Sequence, residues 1–166
     1  MKLELKKLPR DGIPAALAKA ERYRLLNEPG QAESICLDIL DVDPAHHEAL
    51  ILLLLARTDQ YTRDPGARVA DTRDVLDRLT GDYDRAYYAG LICERWAKAQ
   101  LGRNQPGSAH NVVSYLNEAM GYYERAQGFD PAASDPVLRW NACVRLIERH
   151  AHLEPTPDKG FSPLLE

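Results

Sequence analysis

Apolar residues recur along this chain at intervals of three and four, the period of a helix with one buried stripe. The clearest stripe is Ala32, Ile35, Cys36, Ile39 and Leu40, with polar residues between them. Reading on at this period predicts seven helices, over 13–26, 29–41, 44–58, 65–79, 84–101, 109–127 and 135–150. The third holds the run Ala49-Leu50-Ile51-Leu52-Leu53-Leu54-Leu55-Ala56, apolar on every side, so it is expected at the centre. The fourth places Val69, Thr72, Leu76 and Leu79 on one face. The sixth buries Val112, Val113, Leu116, Ala119, Met120 and Tyr123; the seventh presents Val137, Trp140, Val144 and Ile147. No alternating, strand-like stretch competes.

Punctuation between the stripes supports the helices. Asp-Pro occurs at Asp43-Pro44, Asp64-Pro65, Asp130-Pro131 and Asp135-Pro136. An Asp carboxylate accepts from the free amides of a first turn, and Pro needs no partner there. At least three of the four pairs are therefore expected to open helices. Residues 102–108 read as a connector. Residues 154–166, with Pro155, Pro157, Gly160 and Pro163, form an extended tail beyond a helical domain over 1–153. The apolar end of that tail, Phe161 to Leu165, is expected to dock on the body or on another copy.

The fold class is thus all-α, and the spacing of small residues sharpens it. Ala20 and Ala32 are twelve apart, as are Ala32 and Pro44. Tyr23 follows Ala20 by three; Cys36 and Ile39 follow Ala32, and the stretch ends Leu40-Asp41-Val42-Asp43-Pro44. Small residues let two helices cross closely while bulkier ones fill the space beside them. The first pair, over 13–45, closely resembles a tetratricopeptide repeat (TPR). A third pair has Gly90 in a plausible small site, then Ala119, Tyr123, Ala126 and Pro131, again with twelve between Ala119 and Pro131. The middle pair departs from the pattern, with Leu54 where a small residue is usual. The resemblance implies a TPR-like α-solenoid of about seven antiparallel helices: three degenerate pairs and a C-terminal capping helix.

The charge balance, 21 basic against 25 acidic residues, gives a formal −4. A mildly acidic chain is a poor binder of polyanions, so nucleic acid is not the expected partner. The longest apolar run is far short of the ~20 residues a spanning helix needs, so no membrane partner is expected either. The charged start, Met1 to Leu8, lacks a secretory core and points to the cytoplasm. Cys36, Cys93 and Cys143 are far apart, odd in number and each inside an apolar stripe, which reads as burial rather than a disulfide or metal site.

Chemistry is sparse. His46-His47-Glu48 and His150-Ala151-His152 lack zinc spacing, so no metal is expected. Gly102 to Gly107 lacks the Lys-Ser/Thr of a phosphate loop. Among the carboxylates Asp71, Asp74, Asp77, Asp82 and Asp84, Asp74 and Arg78 are spaced for surface pairing, and nothing places two acids in an apolar cleft. No cofactor and no enzymatic activity are expected. The family resemblance implies instead a protein–protein interaction scaffold. It would bind a peptide or protein segment on a concave face lined by the first helix of each pair. The groove candidates are Glu21 and Arg24 (with Leu17), Asp59 (with Glu48 and Ile51), and Tyr87, Leu91, Glu94 and Arg95. The Lys and Asn of the chaperone-tail clamp are absent at Leu17 and Glu21. The alternative is an enzyme or ligand-binding protein with a site between the fifth and seventh helices around Tyr87, Arg95, Trp96 and Trp140; Arg95-Trp96 and Arg139-Trp140 repeat one dipeptide there. Assembly into a homo-oligomer, through the tail or otherwise, is a third expectation.

Overall fold

Leu25-Leu26-Asn27-Glu28-Pro29 shows how local sequence sets the course of the chain. Helix α1 (Ile13–Leu25) stops because Asn27 takes φ 60°, the left-handed region that Asn tolerates better than most residues. The Asn27 amide then donates to the Arg24 carbonyl and the Glu28 amide to that of Tyr23, the paired bonds of a Schellman end. Pro29, whose ring needs no amide partner, begins α2 (Pro29–Val42) at once.

A computed structural model describes residues 3–63, 65–103 and 108–150. After a 3-10 turn (Arg10–Gly12) and the first two helices come α3 (His47–Thr58), α4 (Pro65–Asp77), α5 (Asp82–Leu101), α6 (Ser108–Phe129) and α7 (Asp135–Arg149). All seven expected helices are present, and no strand occurs among the described residues. None of these helices is long and apolar enough to cross a membrane. The tail over 154–166 lies outside the described residues, as do Asp64 and His152.

The Asp-Pro expectation needs correcting. Asp135-Pro136 falls in the first turn of α7 and Pro65 opens α4, but the other two pairs form turns. After Asp43-Pro44 the cap of α3 is His46, whose Nδ1 accepts from the Ala49 amide at 3.3 Å. At Asp130-Pro131 the carboxylate accepts from the Ala132 amide at 3.1 Å, closing an Asx-type turn with no helix after it. The same dipeptide therefore begins a helix only where amphipathic residues follow immediately.

Each helix packs against its neighbour in sequence, and α1 also touches α3, as α3 touches α5. Ala20 and Ala32 are both fully buried in one apolar cluster. Helix α3 is mostly buried: Ala49, Leu50, Leu53, Leu54 and Ala56 are enclosed, while Ile51, Leu52 and Leu55 are half-buried. Polar side chains tie α2, α3 and α4. The Glu33 carboxylate accepts from Arg57 Nε (2.9 Å), Gln60 Nε2 (2.8 Å) and Arg68 Nη1 (2.9 Å). Arg57 also donates to the Asp71 carbonyl at 3.0 Å. Arg78 donates to the Pro44 carbonyl at 2.7 Å and makes no pair with Asp74.

Two apolar clusters result, and α5 belongs to both. Its Ile92 and Ala99 face the cluster of α1–α4, and its Cys93 and Ala97 face the cluster shared with α6 and α7. The α5–α6 contact is the tightest point: a Cβ placed on Gly90 would sit 2.7 Å from Tyr123 Cε1 and 3.1 Å from the Ala119 carbonyl oxygen. On α7 the stripe is rotated from the expected one. Pro136 and Cys143 are buried and Val137 is exposed, because the helix turns the 136/140/143/147 ridge toward α6.

Candidate functional site

The odd-numbered helices bring several of the expected groove residues into two polar clusters. The first joins three helices. Asp59 caps the C-terminal end of α3 and accepts from Arg24 of α1 (Nε to Oδ2, 2.7 Å) and from Arg95 of α5 (Nη1 to Oδ1). Arg95 donates further to Thr58 Oγ1 at 2.7 Å and to the Leu55 carbonyl at 3.3 Å. Burial pulls the Arg95 guanidinium below its ordinary pKa, while Asp59 opposes that shift. All three charged side chains keep a fifth to a quarter of their surface in solvent, so the cluster lies at the surface rather than in the core.

The second cluster is enclosed. Glu94 of α5 is fully buried, at 0 % exposure. Its carboxylate accepts from the Tyr123 hydroxyl of α6 at 2.6 Å, from Lys98 one turn on, and from Arg139 of α7 at 3.4 Å. One anion is thus met by two cations and a hydroxyl on three helices, which is what a buried charge requires. Burial, and then the adjacent Glu94 carboxylate, push the Tyr123 hydroxyl well above its usual range. Burial works against the charge of Arg139, but a hydrogen bond with Tyr87 and the Glu94 charge raise it overall. Tyr87 stacks on Tyr83 (5.9 Å between centroids, 5° between planes) and meets Tyr88 edge-on at 5.1 Å.

The groove candidates therefore separate into roles. Arg24, Asp59 and Arg95 converge within hydrogen-bonding distance. Tyr87 sits beside Glu94's partners, Leu91 lies beneath at 1 % exposure, and Glu21 stays exposed on α1. Glu94 is enclosed and holds α5, α6 and α7 together. The four residues of the alternative site do not surround one space. Arg95 faces Asp59, Tyr87 joins the tyrosine cluster, and Trp96 turns the other way to meet Tyr61 (6.0 Å) and Tyr115 (6.3 Å) edge-on. Trp140 packs into the second apolar cluster.

Beyond Arg139 the lining becomes basic. Lys98, Arg145 and Arg149 surround a shallow cavity of about 250 Å³ floored by Ala142 and Leu146. Neither Arg145 nor Arg149 has an ion-pair partner among the described residues. Sequence reasoning missed this cavity, though Arg145 and Arg149 stand one turn apart on one helix face. It missed Arg139 as the partner of Glu94 for a different reason: they are 45 residues apart.

Other candidate chemistry is occupied by packing. The three thiols are buried, and burial pushes each up to about 12. His47 Nε2 pairs with Asp84 at 2.9 Å. Among the described residues no group of three or more His, Cys, Asp or Glu is placed to hold a metal ion. No protein-family model, curated protein or solved structure matches this chain.

Proposed function

We propose that this chain is a TPR-like α-solenoid, three degenerate helix pairs and a capping helix, that acts as a non-enzymatic interaction module. Its inner face, formed by α1, α3, α5 and α7, binds a peptide or protein segment. The observation that carries this reading is the Arg24–Asp59–Arg95 chain, which links the C-terminal ends of α1 and α3 to the C-terminal half of α5. Contacts of α1 with α3 and of α3 with α5 support it, since stacked pairs bring first helices side by side. So does the register between α5 and α7: Glu94 meets Arg139, and Lys98 meets Ala142 and Leu146, as for helices running in the same direction.

The lining favours an acidic segment. Asp59 has both oxygens engaged and Glu94 is enclosed, whereas Lys98, Arg139, Arg145 and Arg149 present positive charge to solvent. On a chain of formal charge −4 this is a local reversal of sign. Rim charges of this kind steer and select partners more than they add affinity.

The test is affinity capture from a cell extract with the wild-type chain and with an Arg145→Glu, Arg149→Glu variant. Both side chains are solvent-facing, so the fold should be retained, as far-UV circular dichroism would check. Partners recovered by the wild type and lost from the variant are the expected result. The same partners with both proteins would remove the inner face from consideration.

A further inference from the structure

Helices α4 and α6 both pack on α5, and a cleft lies between them. One chamber of it holds about 220 Å³ between Val69 of α4, Ile92, Cys93 and Trp96 of α5 and Tyr115 of α6. Arg73 is the one charged residue at that chamber. A second chamber of about 210 Å³ continues from it, sharing Arg73, Ile92 and Cys93, and there the carboxylates Asp77 and Glu118 line the wall.

The two chambers therefore differ in sign. Arg73 is exposed and has no hydrogen-bond or ion-pair partner among the described residues; neither Asp77 nor Glu118 forms an ion pair with it. An unpaired guanidinium over an aromatic and aliphatic chamber is the arrangement that orients an apolar ligand by a single anionic group. Trp96 is held edge-on between Tyr61 and Tyr115, so the chamber wall is fixed before any ligand enters. The two carboxylates one turn along would repel an anion from the second chamber and keep its charged group at Arg73.

The geometry points to the α4–α6 cleft as a binding site for a small apolar monoanion, an aromatic or short acyl carboxylate or sulfonate, whose charge meets Arg73 and whose body lies against Trp96 and Tyr115. The full chain in a Trp140→Phe background, leaving Trp96 as the reporter, would be titrated with anilinonaphthalene sulfonate. Saturable one-to-one binding with quenching of Trp96 is expected. Phenylnaphthylamine, with the same rings and no sulfonate, should bind about tenfold more weakly, the value of one charge-assisted bond. Arg73→Gln, a surface change, should remove that difference by weakening the sulfonate alone, and Tyr115→Ala should weaken both dyes; thermal melting would check that each variant is folded. Equal binding of the two dyes, sulfonate binding indifferent to Arg73→Gln in a folded variant, preference for a cationic dye, or no saturable binding would each overturn the assignment.

Discussion

Replacing Gly90 by Ala tests the tightest contact in the fold. In an ordinary helix interior this change is favourable by about 1 kcal/mol, because glycine loses more backbone freedom on folding. At position 90 the added methyl would stand 2.7 Å from Cε1 and 2.9 Å from Cδ1 of Tyr123, and 3.1 Å from a backbone oxygen of α6. The ring cannot step aside freely, since its hydroxyl is fixed on Glu94 at 2.6 Å and its other face meets Tyr87 at 5.8 Å between centroids. Overpacking costs roughly 1–3 kcal/mol, and displacing a hydrogen bond to a buried carboxylate about 1.5–3 kcal/mol more. Set against the helix gain, the net loss is about 1.5–5 kcal/mol. For a chain of this size that lowers the melting temperature by roughly 3–20 °C. Gly121→Ala is the control, because nothing lies within 4 Å of its added methyl; it should gain about 0.5–1 kcal/mol. Urea denaturation of both variants measures the contrast. A Gly90→Ala protein as stable as the wild type, or more so, would refute the close α5–α6 crossing and the role given to Tyr123.

Three further outcomes follow from the polar clusters and thiols. Burial alone would raise the Glu33 pKa, but hydrogen bonds from Gln60 and Arg57 and the charges of Arg68 and Arg57 more than offset it, so the folded value lies below 4.5. The stability this supplies is full above the unfolded pKa and is lost as pH falls through the folded one; Glu33→Gln should flatten stability against pH below about 4.5. Glu94→Gln keeps an acceptor for Tyr123 but leaves Lys98 and Arg139 without their anion, and should cost about 1–3 kcal/mol in urea denaturation; an unchanged midpoint would contradict the enclosed ion cluster. The three thiols, with folded values near 12 against 9.0 when free, should resist a thiol-reactive disulfide reagent at pH 8 and titrate together on unfolding. Their raised values also mean that stability is full below pH 9 and declines as pH rises from there toward 12.

Helix number, type and most boundaries were legible in the chain because they depend on local physics. A stripe such as 32/35/36/39/40 needs only the helical period, and Ala20, Ala32 and Gly90 announce a crossing by being small. The turn at Asn27 was equally local and was overlooked, since its left-handed φ is signalled by one residue. The Asp-Pro pairs misled because a cap requires a helix willing to follow it, and at Pro44 and Pro131 none begins directly. What the sequence could not disclose is which polar side chains would meet. Arg24 reaches Asp59 across 35 residues and Arg139 reaches Glu94 across 45, distances over which periodicity carries no information. Nor could it say that the two adjacent residues Glu94 and Arg95 would diverge, one into the α5–α7 interior and one toward α3. Side chains 100° apart on a helix meet different neighbours, and only the packing of the helices decides who those neighbours are.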